Sequence, residues 1–191
     1  MIQLNFPLKN EEAIKKLKIG DIVRINGTIF TARDEAHKFL LKTNKKFQNL
    51  LKNSAIYHCG PIVKGKNGRY GVIAAGPTTS IREEPYEAAI IKNYGIKAII
   101  GKGGMGEDTL MSCKKFSCVY LSIVGGIAAL ITKSIKKVRN VYMLKEFGVP
   151  EAIWEFEVEN LPAMVTMDAK GNSLHKNILK TSKGSYEKLI R

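Results

Sequence analysis

Long hydrophobic runs are missing from this 191-residue chain. No apolar stretch approaches the roughly 18–20 residues that cross a bilayer as a helix, so no membrane partner is expected. Cysteine is scarce as well. Cys59, Cys113 and Cys118 are odd in number and contain no C-x-x-C pair, which argues against a disulfide framework and against a zinc site of four spaced ligands. The three also look unable to gather the thiolates of an iron–sulfur cluster on their own. No metal ligand is expected in this chain. The opening residues, Met1-Ile2-Gln3-Leu4-Asn5-Phe6, lack a basic segment followed by an apolar one. No secretory signal is therefore expected, and the unpaired cysteines suit a reducing cytoplasm.

Acidic residues are the last deficit: 17 Asp and Glu face 31 Lys and Arg, for a net charge of +14. None lies between Asp108 and Glu146. A chain this basic can attract nucleic acid, and a nucleic-acid-binding protein is the alternative from another functional class. The lysines are scattered along helical faces, however (Lys15, Lys16, Lys18; Lys42, Lys45, Lys46; Lys133, Lys136, Lys137). They are not interleaved with aromatics as in a nucleic-acid groove, so solvated surface is expected instead. What remains, with 45% apolar and 25% charged residues, is an ordinary globular composition.

Asn10-Glu11-Glu12 can cap a short helix through Leu17. Asp21–Ile25 and Thr28–Ala32 alternate around Asn26-Gly27, a hairpin signal. From Arg33 to Leu51 the apolar residues recur at helical spacing. Ala55–Cys59 reads as a strand, Lys64–Arg69 as a turn and Tyr70–Ala75 as the next strand. Pro85 suits the first turn of a helix that runs to Tyr94 and stops at Gly95. Strand Ile96–Ile100, helix Asp108–Lys115, strand Ser117–Val124, helix Ile127–Ile135 and strand Val138–Leu144 then alternate, the pattern of a parallel sheet with helical crossovers. Ile153–Glu159 alternates strictly, with aromatics inward and glutamates outward. Ala163–Met167 and a turn at Asp168–Asn172 suggest a last hairpin. The expected fold is a single α/β domain over residues 1–174, with a mostly parallel sheet and added hairpins. Residues 175–191 read as a loosely attached basic tail.

Two glycine-rich stretches invite a nucleotide assignment and fail it. Gly101-Lys102-Gly103-Gly104-Met105-Gly106 fits G-x-G-x-x-G, yet no carboxylate follows at the end of the next strand to hold a ribose. Gly71 and Gly76 have P-loop spacing, but Pro77 stands where a lysine is needed. The same segments make better sense as a binding face for a small anion. Gly76-Pro77-Thr78-Thr79-Ser80-Ile81-Arg82 and the Lys102 loop each begin where an apolar run stops, which is how strands deliver side chains to a site. They offer three hydroxyls, a guanidinium and an ammonium, with no carboxylate before Glu83 and Glu107 respectively. Arg33 sits at a strand-to-helix transition, where it either meets an anion or pairs with Asp34 or Glu35. His37, one turn later on the same face, suits a satisfied structural histidine. Thr78 and Thr79 can equally cap the helix that follows.

Four segments then carry a resemblance over most of the chain. They are Gly27–His37, Tyr57-His58-Cys59-Gly60-Pro61, Gly76–Arg82 and Gly101–Met105. Together they resemble the beta subunit of class I fumarate hydratases, its sibling the L-tartrate dehydratase beta subunit, and the C-terminal domain of the single-chain enzymes. The resemblance implies a swivelling β/β/α domain that closes over a separate alpha subunit bearing a 4Fe-4S cluster. It implies reversible hydration of fumarate to L-malate by a hetero-oligomer. It assigns Arg33, Arg82 and Lys102 to the substrate carboxylates, Thr78 to the catalytic base and Thr79 to substrate binding beside it. Gly76, His37, Gly103 and Gly104 fall in supporting positions.

Overall fold

A computed structural model of the chain describes residues 2–42, 44–66 and 68–190. Its strands are β1 (Ile2–Phe6), β2 (Ile22–Ala32), β3 (Ala55–His58), β4 (Ile62–Lys66), β5 (Arg69–Ala74), β6 (Ala98–Gly101), β7 (Val119–Ser122), β8 (Ile135–Tyr142) and β9 (Ile153–Met167). The helices are α1 (Glu12–Lys16), α2 (Asp34–Leu41), α3 (Lys45–Leu51), α4 (Glu84–Tyr94), α5 (Glu107–Phe116), α6 (Ala128–Ile131), α7 (Leu144–Phe147) and α8 (Leu174–Leu189). The α/β class and the mixed sheet with an added hairpin, β4–β5, are as the sequence pattern suggests.

Strands β1, β2, β3, β6 and β7 pair in parallel, and β9 runs antiparallel to β2, β7 and β8. These pairings close a ring, β2-β3-β6-β7-β9-β2. Along the ring strands, side chains alternate between two cores. Ile29, Tyr57, Ile100, Leu121 and Phe156 meet in the one that all five strands share. Phe30, Ile56, Ile99 and Tyr120 face the other, which α2, α3, α4 and α5 cover with Leu40, Phe47, Ile90 and Leu110. Burial on both faces explains why these strands are so uniformly apolar.

The expected hairpin at Asn26-Gly27 is instead one continuous 11-residue strand. Gly27 has a φ of +90°, and a Cβ there would lie 2.0 Å from the Phe6 carbonyl oxygen. It forms a bulge where one edge of β2 passes from β1 to β3 while the other stays on β9. The segment Arg33–Leu51 is two helices, with Asn44 capping the second through its side chain. Lys64–Lys66 belongs to β4; Asn67 of the expected turn lies outside the described residues. The helix expected over Ile127–Ile135 ends early, and Ile135 already opens β8. The last hairpin is reduced to one antiparallel bridge, Met167 to Ser173, across the expected Asp168–Asn172 turn. Ile153–Met167 is a single 15-residue strand, and Asp168 organises a turn that feeds α8. The C-terminal segment is thus helical through Leu189, with no buried residue. No helix among the described residues is long and apolar enough to cross a membrane.

Candidate functional site

Parallel register is what assembles the site. Ala32 pairs with His58, and Tyr57 pairs with Ile100, so β2, β3 and β6 end level with one another. Open α/β sheets bind ligands at such carboxyl ends. Arg33 follows β2, and Lys102 follows β6 directly. The 75–83 segment crosses between them. Pro77 bridges Cys59, Thr79 bridges Lys102, and the Thr78 N–H donates to the His58 carbonyl at 2.7 Å. The Ser80 N–H donates to the Lys102 carbonyl at 3.1 Å. A short 3-10 turn, Ser80–Glu83, then presents Arg82.

All five residues assigned to chemistry and binding therefore lie on one side of the fold. Thr79 and Arg82 are exposed, and Thr78, Arg33 and Lys102 are half-buried. The capping role fails for Thr79. It occupies the N-cap of the 3-10 turn without a side-chain capping bond, and α4 likewise has none. The absence of nearby carboxylates, true along the chain, does not hold in space. Arg82 Nη2 lies 2.5 Å from Asp34 Oδ2, and Arg33 Nη2 reaches the same oxygen at 3.8 Å. Arg33 also pairs through Nε with Glu151, at 3.3 Å, and not with Glu35. Gly76 packs against α6, where a Cβ would come within 2.9 Å of the Ala128 side chain. Gly103 is open, whereas Gly104 is buried under the His175 ring. Glu84 holds this loop, accepting from the Gly106 N–H at 2.6 Å and the Thr109 hydroxyl at 2.7 Å.

Beneath this face lies a fully buried polar layer. His37 Nδ1 is 2.8 Å from the Arg33 carbonyl, and its Nε2 is 3.1 Å from Glu87 Oε2. That oxygen also meets His58 Nε2 at 2.9 Å. His58 Nδ1 lies 2.9 Å from Ser80 Oγ, to which the Tyr120 hydroxyl donates at 2.8 Å. Glu83 Oε2 stands 3.5 Å from His37 Nδ1. The structural role expected for His37 fits this burial. His58 and Ser80 lie inside segments that the sequence singled out but were given no role of their own, Glu83 entered only as a nearby carboxylate, and Glu87 and Tyr120 were not singled out. Only the one-turn spacing of Glu83 and Glu87 could have flagged a shared helical face.

The environment splits these groups electrostatically. Burial raises Glu83 from the usual 4.5 to about 7; Asp34 and Glu87 add repulsion, against attraction from His37 and Arg82. Burial also acts to raise Glu87, but both histidines outweigh it and hold the carboxyl at about 2. His37 is disfavoured as a cation by burial, yet Glu87, Glu83 and the Arg33 carbonyl raise its pKa above the usual value. His58 goes the other way, lowered mainly by burial and also by the charge on His37.

Two ring nitrogens and Glu87 lie within 4.8 Å of one another, a set that could in principle hold a cation. Hydrogen bonding already accounts for both Nε2 atoms and for Glu87 Oε2, while Glu87 Oε1 is buried without a partner. The cysteines do not fit a cluster: all three are buried, Cys59 and Cys113 lie in different cores, and burial pushes the Cys59 thiol up to about 12. A groove of about 680 Å³ between α4 and α5, lined by Ala88, Lys92 and Met111, lies apart from the site residues.

Comparison with known proteins adds to this geometry. The family model described as Fumarase C-terminus matches residues 1–178. A Geobacillus stearothermophilus protein provisionally named fumarate hydratase class I is 50% identical over 190 residues, covering 99% of this chain and 36% of that protein. A Methanocaldococcus jannaschii protein provisionally named L(+)-tartrate dehydratase subunit beta is 46% identical, covering 98% of this chain and 97% of that protein. The L(+)-tartrate dehydratase subunit beta of Escherichia coli K12 is 34% identical, covering 90% and 85% respectively. The chain thus spans about a third of the first relative and most of the other two.

Proposed function

Since the chain belongs to the Fumarase C-terminus family, we propose that it is the beta subunit of a class I fumarate hydratase, acting on fumarate and L-malate. The observation that carries this proposal is the level register of β2, β3 and β6, which sets three cations and two threonine hydroxyls on one face. A four-carbon diacid needs such cations for its two carboxylates. In the proposed reaction Arg33, Arg82 and Lys102 grip those carboxylates, and Thr79 orients the substrate. Thr78 moves the proton on the carbon beside the one that bears the hydroxyl. A threonine hydroxyl is a weak base, so this role depends on the positive charge around it. Asp34, now paired with both arginines, is the internal carboxylate that substrate would displace. Gly76, His37, Gly103 and Gly104 support the loops.

Three buried cysteines split between two cores support a reading that puts the 4Fe-4S cluster on a separate alpha subunit in a cytoplasmic hetero-oligomer. Residues 1–174 would swivel over that partner as one domain, with 175–191 as a basic C-terminal extension. Exposed Ile81 and Val124 flank Arg82 and the Lys102 neighbour Gly125, which suits a face covered by another protein. The purified chain should show no hydratase turnover until combined with a cluster-bearing alpha subunit. Substantial turnover by the iron-free chain alone would refute the two-subunit proposal.

A second reading, L-tartrate dehydratase beta subunit, is supported by two relatives that carry that name, at 46% and 34% identity. Comparing kcat/KM for fumarate and L-tartrate in the assembled enzyme separates the two.

A further inference from the structure

The protons of the buried layer can be assigned one by one from the donor and acceptor rules. A backbone carbonyl only accepts, so the Arg33 oxygen at 2.8 Å requires a proton on His37 Nδ1. An ionised Glu87 also only accepts, and its Oε2 faces the Nε2 atoms of both His37 and His58. Both Nε2 atoms then carry protons. His37, protonated at both nitrogens, is an imidazolium. At the other end, the Tyr120 hydroxyl spends its one proton on Ser80, so toward the Gly104 backbone it can only accept, from the amide. The Tyr120 hydroxyl donates in turn to Ser80 Oγ at 2.8 Å. The Ser80 proton is thus left for His58 Nδ1 at 2.9 Å. His58 is therefore neutral and protonated on Nε2.

The chain of bonds runs in one direction from each end and meets at Glu87. It begins at the Gly104 amide, passes Tyr120, Ser80 and His58, and reaches the carboxylate. From the other side it comes from His37, which also donates to the Arg33 carbonyl. It is tied to the segment that carries Lys102 through the Gly104 amide, to that of Thr78 and Thr79 through the Ser80 hydroxyl, and to Arg33 through its carbonyl. Gly101 makes the close approach feasible, because a Cβ there would sit 1.9 Å from Ser80 Oγ. We infer that His37, His58, Glu87, Ser80 and Tyr120 form a positioning relay, built around one buried imidazolium–carboxylate pair at His37 and Glu87, that sets the relative placement of the three substrate-facing segments. Touching no substrate, these groups are positioning residues, and the functional half of the inference rests on the proposed hydro-lyase site.

The groups facing His37 are Glu83, Tyr86 and Glu87 from the 3-10 turn and α4, and His58 from β3, while Asp34 and Arg82 act on Glu83. Of these, Glu83 and Glu87 favour the cation. His58, as the neutral tautomer, presents its donor side to Glu87 and adds no competing charge.

Ring-nitrogen NMR of the full chain, labelled on histidine, tests the assignment without needing a substrate or a partner. The expected result is His37 doubly protonated above the pH at which a free imidazole loses its second proton, with His58 as the neutral Nε2–H tautomer. Glu87→Gln removes the negative charge that faces both rings, so His37 should lose its extra proton at lower pH than in the wild type. Tyr120→Phe, which deletes only a hydroxyl, should leave His37 charged, shift the Gly104 and Ser80 amides, and lower kcat about 10-fold in the assembled enzyme with little change in KM. A neutral His37 in the wild type overturns the relay, as does a charged His58 or a stoichiometric transition metal in the purified chain. If the NMR result holds but Tyr120→Phe is kinetically silent on any diacid the enzyme turns over, the positioning role falls. Absence of all diacid turnover would instead refute the hydro-lyase reading and leave the proton assignment standing.

Discussion

The exposed face and the layer beneath it use similar residue types under opposite physics. Thr78, Thr79, Arg82 and Lys102 keep access to water, and none needs an internal partner to be tolerated there. His37, His58, Ser80 and Glu87 have 0% exposure. At such depth each unmatched donor or acceptor is costly, and of this set only Glu87 Oε1 lacks a hydrogen-bond partner. The outer set is thus free to be specified by a ligand, whereas the inner set is specified by the fold. A substitution outside should change chemistry and spare stability. One inside should first change stability or geometry.

Thr78→Ala offers the largest contrast. Turnover of the assembled enzyme should fall by about 10²–10⁴-fold with a smaller change in substrate binding, and the melting temperature of the chain should hold. Arg82→Lys comes next. It keeps the charge but loses the planar two-pronged grip, so transition-state stabilisation should drop by about 2–4 kcal/mol, read from kcat/KM. Gly101→Ala should cross the boundary between the layers. Its methyl group would collide with Ser80 Oγ, costing about 1–3 kcal/mol in denaturant unfolding and loosening the loop as well.

The smallest effect concerns pH. The folded pKa of Glu83 is raised from 4.5 to about 7, so across that interval the folded state holds more protons than the unfolded one. Its contribution to stability is present below the ordinary value and lost as pH rises through about 7. Glu87, held at about 2, contributes above its ordinary value and loses that contribution as pH falls toward about 2. Glu83→Gln should therefore flatten the decline on the neutral side by about 1–2 kcal/mol and leave the acid side unchanged, as read from urea midpoints across pH.

The same contrast explains what was visible before folding. Thr78, Arg82 and Lys102 stand where apolar runs end, a local signal that one segment displays by itself. Cys113 and Cys118, which show no metal-ligand spacing in the sequence, are both buried. The relay is drawn from β3, the 3-10 turn, α4, β7 and α2, and no single segment shows that His58, Ser80, Glu87, Tyr120 and His37 meet. Strand identity failed where one residue's conformation outweighed a familiar motif. Asn26-Gly27 has hairpin composition, but the positive φ of Gly27 serves a bulge in a strand already held by β9. Ala163–Met167 likewise lost its separate identity, since pairing with β2, β7 and β8 keeps β9 continuous.

Proton exchange at the malate carbon next to the hydroxyl-bearing carbon, followed in heavy water with the assembled enzyme, tests most directly whether this chain supplies the proton-transfer group. The wild type should exchange that proton during reversible hydration, and Thr78→Ala should lose the exchange while Thr79→Ala retains most of it. Exchange at the wild-type rate in Thr78→Ala would contradict the account and move the base to the partner subunit.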